Sequence, residues 1–344
     1  MDSKEMDSIM FIVTCIICIA IVSRIQAFIH EGGHYIFGKL TGYKFVSFRV
    51  GTYMVYKKDG ELTAARSALL GTGGQCLMSP PDLIDGIMPF KLYNLGGAIL
   101  NLISALLYIP LWTATKNNMY LNVFGLCFMV TGVIYSLLNG LPLRNNDIDN
   151  DGSNTMNMCK CKKAIKSFWM QLKVSECNIN GTRIKDLPEE WFFVPEDEEL
   201  KNTLVSSMAF FYKDRLLDKH KFSEAAKYID HILGVEDNGI LPIYKKMLIM
   251  DRVYIELIGD RNEEVINKFY TQEMVEFRSQ MKNYPPMLRT EYALSVLEKN
   301  NVSKAEVIIK TFNEFIKIYP YEGEAQREIE LVDIVKQKSI VQFL

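Results

Sequence analysis

The sequence predicts a mainly α-helical polytopic membrane protein, with about three transmembrane helices, a small membrane-surface β-hairpin and a soluble, solenoid-like helical domain. Two observations lead to this fold class. Only 18 of the 39 basic and 41 acidic residues precede residue 144, and three apolar segments in that part reach the roughly 20 residues that cross a bilayer. The remaining charged residues follow residue 143, as is typical of a soluble helical domain. We expect a membrane domain over residues 1–155, a connector over 156–199 and a cytosolic helical-repeat domain over 200–344.

The three predicted spans cover residues 8–37, 92–112 and 119–138. The first carries no charge from Ser8 to Ser23, and the sequence before it lacks the basic region of a signal peptide, so we expect a retained span. Lysine and arginine cluster after the first and third spans, while the link between the second and third holds only Lys116. The positive-inside rule therefore places the N-terminus outside, with residues 39–91 and everything past 144 in the cytosol.

A β-hairpin is predicted between the first two spans. Residues 43–78 are rich in glycine and contain alternating apolar and polar residues, and Asp59-Gly60 separates two β-prone runs. An Asp-Gly pair in this setting is a hairpin signal. We expect the hairpin to lie at the cytosolic surface of the membrane.

The strongest chemical signal lies in the first span, where residues 30–34 read His-Glu-Gly-Gly-His. His30 and His34 are four residues apart, so on a helix they share one face and can bind one Zn²⁺. Glu31 beside them can take a proton from zinc-bound water. Two packed histidines without a metal are the alternative, but two imidazoles and a carboxylate inside a span are costly without a function. The pattern therefore predicts a metal site.

A catalytic zinc site needs a third protein ligand. His220 and His231 lie far away in the charged half, so the acids at positions 147, 149 and 151, after the third span, are the nearest candidates in character. The same run resembles the start of a calcium-binding EF-hand loop. Position twelve of such a loop needs glutamate and is Met158 here, which argues against calcium.

The order of these motifs resembles the site-2 protease family, the zinc metalloproteases that cut inside membranes. After His-Glu-Gly-Gly-His, the Gly97 to Asn101 segment resembles the family's G-x-x-x-N. Asn139 and Pro142, followed by Asp-Gly at 151–152, resemble its N-x-x-P…D-G. The resemblance covers about residues 8–160, under half of the chain.

The resemblance implies one catalytic Zn²⁺ held by His30, His34 and Asp151, with Glu31 as the general base. Asn101 and Asn139 would then hold the substrate backbone or the oxyanion. Small polar residues in membrane spans also commonly form interhelical hydrogen bonds, which is the alternative role for both asparagines.

The sequence departs from the family pattern in two places. Asp151 follows Pro142 at a longer distance than in the better-known form, while Asp147 occupies the nearer position but precedes Ile148 instead of glycine. Asp151 is therefore the predicted third ligand and Asp147 the alternative. The second departure is Gly-Gly-Ala at 96–98, where many members carry Gly-Pro.

The charged half contains a loose 40-residue repeat with centres at Ala225, Val265 and Ala305. Its copies resemble the helical hairpins of tetratricopeptide repeats, and this period suits an α-solenoid whose concave face takes a partner protein or a substrate tail. An ordinary helical bundle is the alternative. In the connector before it, a basic amphipathic helix is expected over about residues 159–173.

Two classes of function follow from these features. An intramembrane zinc endopeptidase would cut a membrane-spanning segment or a hydrophobic precursor peptide, whereas a non-catalytic membrane scaffold would recruit a protein partner through its helical tail. The complete set of His30, Glu31, His34 and Asp151 favours the enzyme.

A net charge of −2 without a basic stripe gives no sign of nucleic-acid binding. An amino-acid composition rich in lysine, isoleucine and asparagine favours a bacterial protein, which we expect in the cytoplasmic membrane.

Overall fold

The computed structural model describes residues 3–66, 73–145 and 148–342. The chain is mostly helical and divides into two compact units. The first unit comprises Met1–Gly51 and Thr72–Ile165, and the second comprises Thr52–Gly71 and Lys166–Leu344.

The first unit is built around long apolar helices. Its helices are α1 Ser3–Leu40, α2 Lys91–Leu107, α3 Ile109–Thr115, α4 Met119–Gly140 and α5 Asp151–Lys160. Three segments are long and apolar enough to cross a membrane, namely Ser8–Leu40, Lys91–Thr115 and Met119–Gly140, which confirms the helices predicted there. The second of these segments consists of two helices, because α2 ends at Leu107 and Pro110 lies in the first turn of α3, where its missing N–H is tolerated.

Helices α1, α2 and α4 pack against one another. Their outer faces carry large apolar side chains such as Ile16 and Phe28, which are 61% and 59% exposed. A contiguous apolar face of this kind is costly in water and suits the hydrocarbon core of a bilayer. The inner faces of α1 and α2 meet at glycines, since Gly33 of α1 lies directly against Gly96 and Gly97 of α2.

Four strands follow α1, where the sequence predicted one hairpin. In the first unit, β1 Lys44–Val50 pairs antiparallel with β4 Gly74–Ser79, with an irregularity between Phe45 and Ser47. In the second unit, β2 Tyr53–Lys58 pairs antiparallel with β3 Glu61–Arg66. Asp59 and Gly60 turn between β2 and β3 with φ of 50° and 91°, as a two-residue hairpin turn requires. The hairpin is therefore confirmed at its predicted turn. A short ladder of β5 Arg144–Asn145 with β6 Ile148–Asp149 precedes α5.

In the residues that the structure describes, the regular structure of the second unit is helical apart from the β2–β3 hairpin. The boundary between the units falls within α6 Lys162–Ile179, and 3₁₀ turns follow at Ile184–Asp186, Glu189–Trp191 and Asp197–Lys201. The later helices are α7 Thr203–Asp218, α8 Phe222–Gly234, α9 Pro242–Ile258, α10 Glu263–Phe269, α11 Gln272–Gln280, α12 Pro285–Ala293 with a π-helical turn at Leu294–Glu298, α13 Val302–Ile316 and α14 Glu322–Gln342. The amphipathic helix expected over residues 159–173 is interrupted, because Cys161 is extended and separates α5 from α6.

The three repeat centres fall in corresponding helices of the second unit. Ala225 lies in α8, Val265 in α10 and Ala305 in α13, and these helices contact α7, α9 and α12, respectively. The turn before each helix contains a left-handed residue, at positions 220, 261 and 300, with φ of 54°, 56° and 47°. The 40-residue repeat of the sequence therefore corresponds to helix pairs that are joined by similar turns.

Candidate metal centre

Helix α1 brings His30, Glu31 and His34 to one buried place within an apolar segment. The two histidines are one helical turn apart and share a face, and all three side chains are at most 8% exposed. In the part of the chain that the structure describes, His30 and His34 form with Asp151 a group whose ligand atoms all lie within 4.8 Å of one another. The structure thus brings together the histidines and the predicted third ligand. Asp147, the alternative, lies outside the described residues.

The three donor atoms form a nearly equilateral triangle. His30 Nε2 lies 3.1 Å and His34 Nε2 lies 3.3 Å from Asp151 Oδ2, and the two Nε2 atoms are 3.2 Å apart. Ligand atoms at the Zn–N and Zn–O distances of a tetrahedral site, roughly 2.0–2.1 Å, are separated by about 3.3 Å. The spacing of these donors therefore fits three corners of a zinc tetrahedron, which leaves the fourth corner for water or substrate.

Hydrogen bonds on the far side of each imidazole decide which ring nitrogen faces the triangle. His34 Nδ1 lies 2.8 Å from the Tyr93 carbonyl oxygen, which can only accept, so Nδ1 carries the hydrogen and donates. His30 Nδ1 lies 2.9 Å from Asn101 Oδ1 and donates in the same way. In the neutral rings both Nε2 atoms then carry lone pairs that converge on a carboxylate oxygen. Such an arrangement is repulsive unless positive charge lies among the three atoms.

Asp151 is held at the triangle by the residue before it. Asn150 caps α5, accepting from the Ser153 backbone N–H at 2.8 Å, while its own Nδ2 donates to the carbonyl oxygens of Leu138 and Leu141 at 2.6 and 2.7 Å. Burial by itself would raise the pKa of the Asp151 carboxyl, but positive charge on His34 and His30 outweighs burial and holds that pKa well below its usual range. Positive charge among the three atoms, on the imidazoles or on an ion between them, is therefore what keeps this carboxylate ionised.

Glu31 is close to the triangle but is not part of it. Its carboxylate packs against the first residue of β4, where a methyl group on Gly74 would lie 2.5 Å from Glu31 Oε1. Glycine at this position therefore leaves room for the carboxylate. Since Glu31 is not needed as a ligand, its oxygens are available for proton transfer.

Glycines set the distance between the two helices at the centre. A methyl group on Gly97 of α2 would lie 2.5 Å from His30 Nδ1, and one on Gly33 of α1 would lie 2.7 Å from the Gly97 Cα atom. At Gly152 in α5 a methyl group would lie 2.5 Å from the Gly140 carbonyl oxygen. By contrast, a methyl group on Gly32 would meet only the Leu100 side chain, at an ordinary 3.9 Å.

The two predicted asparagines have different places in the structure. Asn101 is fully buried in α2, and its amide is used at both ends, by His30 on Oδ1 and by Gln26 on Nδ2. Asn139 donates from Nδ2 to the Tyr135 carbonyl oxygen of its own helix at 2.9 Å. The structure therefore brings Asn101 to the metal centre as a partner of His30.

Sequence reasoning missed Gln26, Tyr93, Asn150 and Gly74. Gln26 carries a usable signal, because it is an amide in an apolar run and lies one helical turn before His30. Tyr93 acts through its backbone carbonyl, which no side-chain pattern reveals.

Comparison with known proteins adds little to the metal centre. No protein-family profile matches the chain, and no solved structure matches it. A stretch of 130 residues is 23% identical to a 2,3-bisphosphoglycerate-dependent phosphoglycerate mutase of Chlamydia caviae. That match covers 36% of this chain and 57% of the mutase, so the chain spans little more than half of that relative's length. A likeness of this extent shows no family and gives no role to the residues of the metal centre.

Proposed function

We propose that the chain is an intramembrane zinc endopeptidase that hydrolyses a peptide bond within or near a transmembrane segment or in a hydrophobic peptide. The observation that carries the proposal is the convergence of His30 Nε2, His34 Nε2 and Asp151 Oδ2 inside an apolar helical unit, with Glu31 beside them. A group of this polarity is costly in a membrane span unless it has a use. The resemblance to the site-2 protease family supports the same conclusion.

Each side chain has a role that follows from its position. His30, His34 and Asp151 would hold the ion, which would supply Lewis acidity and lower the pKa of the attacking water. Glu31 accepts a proton from the attacking water and passes it to the amine that leaves the scissile bond. The apolar surroundings keep bulk water away from the carboxylate and strengthen its interaction with the proton that it carries.

The substrate-binding role is assigned to Asn139. The amide of Asn101 is already used by His30 and Gln26, so this asparagine orients a ligand of the ion. Asn139 is half-buried near the end of α4, a few residues before the loop that leads to Asp151, and its side-chain oxygen or nitrogen can meet a substrate backbone.

The remaining proposals concern location and partners. Three apolar helices and the distribution of lysine and arginine support an integral protein of a bacterial cytoplasmic membrane, with the N-terminus outside and the second unit in the cytosol. The repeated helix pairs of the second unit support a surface for a protein partner or a substrate tail.

The proposal is tested on the full-length protein in liposomes, together with a panel of tagged single-span substrates. We expect the wild type to cleave at least one substrate and Glu31→Gln to cleave it about 10²–10⁴-fold more slowly, with zinc content unchanged. Glu61→Gln, at an exposed position of β3, is the matched control and should cleave like the wild type. Equal cleavage by Glu31→Gln and wild type contradicts the proposal. A zinc-loaded wild type that cleaves no member of the panel favours the scaffold.

A further inference from the structure

Gln26 is a buried amide in the first apolar span, one helical turn before His30, and it is 0% exposed. An amide at membrane depth is costly unless all of its hydrogen-bonding groups are satisfied. Gln26 Nε2 donates to the Phe128 carbonyl oxygen of α4 at 3.2 Å. Its Oε1 accepts from Asn101 Nδ2 of α2 at 2.7 Å, and its backbone oxygen accepts from the same Nδ2 at 2.9 Å. The side chain therefore joins α1, α2 and α4 at one point.

The direction of this hydrogen-bond chain is fixed at the Phe128 end. A backbone carbonyl can only accept, so the nitrogen of the Gln26 amide must face Phe128, and its oxygen must face Asn101. That oxygen and the Gln26 backbone oxygen, which can only accept, both require the Asn101 nitrogen, so Asn101 Oδ1 is turned towards His30 Nδ1. His30 Nδ1 must then carry the hydrogen, and His30 Nε2 presents its lone pair to the donor triangle.

Space for the Gln26 side chain is provided by a glycine of α4. A methyl group on Gly132 would lie 2.9 Å from Gln26 Nε2 and 3.2 Å from the Asn101 carbonyl oxygen. Glycine at position 132 of the third span therefore leaves room for the Gln26 amide next to Asn101.

We propose that Gln26 is a positioning residue of the metal centre, which acts through Asn101 to fix the tautomer and the ring orientation of His30. The inference rests on the metal centre of the proposed function. His34 needs no such chain, because its Nδ1 donates directly to the Tyr93 carbonyl oxygen. Partners of this kind hold a ligand in the orientation that the ion requires, and their loss weakens metal binding.

The test measures zinc affinity of the full-length protein in detergent by competition with a chelator. Asn101→Leu removes the acceptor of His30, and we expect it to bind zinc about 10–100-fold more weakly than wild type. Gln26→Met removes only the side-chain link, since the Gln26 backbone oxygen still accepts from Asn101, and we expect a loss of about 10-fold. The double variant should bind no more weakly than Asn101→Leu alone, because Gln26 acts through Asn101.

Asn122→Leu is the matched control. It deletes another interhelical asparagine, which accepts from Trp112 Nε1 at 2.7 Å between α3 and α4, and its zinc affinity should equal that of wild type. Wild-type affinity in Gln26→Met, or losses that add in the double variant, would overturn the inference while leaving the proposed function in place. A wild type that binds no zinc overturns both.

A second measurement is made on the zinc-loaded wild type. The chain has four histidines, so ring-¹⁵N labelling gives few signals, and comparison with a His30→Gln sample assigns those of His30. The inference expects a hydrogen on His30 Nδ1, whereas a His30 Nδ1 without a hydrogen overturns it.

Discussion

The two glycines of the His-Glu-Gly-Gly-His segment differ in what surrounds them, and this difference gives a sharp prediction. A methyl group on Gly33 would overlap the Gly96 carbonyl group and would lie 2.7 Å from the Gly97 Cα atom, about 0.8 Å short of the roughly 3.5 Å at which carbon atoms normally meet. Gly96 and Gly97 both meet the methyl group with backbone atoms, so α1 and α2 must separate by at least about 0.8 Å to admit it. A separation of about 0.8 Å carried to the 2.9 Å bond between His30 Nδ1 and Asn101 Oδ1 lengthens it beyond the usual limit of about 3.2 Å.

Gly33→Ala is therefore expected to weaken both the fold and the metal centre. Alanine gains about 1 kcal/mol of helix propensity over glycine, but overpacking costs about 1–3 kcal/mol, so the net change is a loss of up to about 2 kcal/mol. Zinc affinity should fall about 10-fold or more as His30 loses its partner. Gly32→Ala gains the same propensity without a clash and should be neutral or stabilising by about 1 kcal/mol, with unchanged zinc affinity.

The assay is thermal unfolding together with chelator competition for zinc, on both variants of the full-length protein in the same detergent. Because the two substitutions are chemically identical and adjacent, any general effect of alanine in this helix cancels. Equal unfolding temperatures and equal zinc affinities for Gly32→Ala and Gly33→Ala would refute the reasoning from helix separation.

Three further predictions concern the third ligand and the second unit. Asp151→Asn should lower zinc affinity strongly, and wild-type affinity in that variant would return the role to Asp147. Gly152→Ala should also weaken zinc binding, since its methyl group would lie 2.5 Å from the Gly140 carbonyl oxygen and push Asp151 out of place; tight zinc binding by this variant contradicts the geometry. In the second unit, burial by itself would raise the pKa of the Asp251 carboxyl, but Lys213 and Arg289 outweigh it and lower that pKa. The carboxylate therefore stabilises the fold above its unfolded pKa of about 3.9, and this stability is lost as the pH falls through the lower, folded value. Asp251→Asn should be less stable at pH 7 and should lose less stability between about pH 5 and 3, as measured by unfolding at several pH values; parallel curves would count against this.

The sequence could predict those features that depend on residues close together in the chain. The common face of His30, Glu31 and His34 depends only on the period of a helix, and the Asp59-Gly60 turn depends only on two residues. The pairing of β1 with β4 was not predicted, because it joins segments on either side of the hairpin and depends on long-range register.

The predicted third ligand lies at the limit of what local pattern can decide. Asp151 is 121 positions from His30, and its place follows from how α4 ends and how Asn150 holds the loop to the Leu138 and Leu141 carbonyl oxygens. The spacing from Pro142 could not choose between Asp147 and Asp151 as the third ligand. It carries no information on which acid the cap of α5 turns towards the histidines.

The partners of His30 show why a motif does not determine a site. Asn101 belongs to a pattern that suggested contact with substrate. It is buried among the packed helices instead, where its amide forms hydrogen bonds with His30 and Gln26. That burial depends on the close approach of α1 to α2, which only glycine at positions 33, 96 and 97 permits. The glycines and the asparagine therefore act together, since the glycines bring the helices close and the short distance lets the Asn101 amide reach His30. Gly32 takes no part in this arrangement, and nothing in the structure explains glycine at that position.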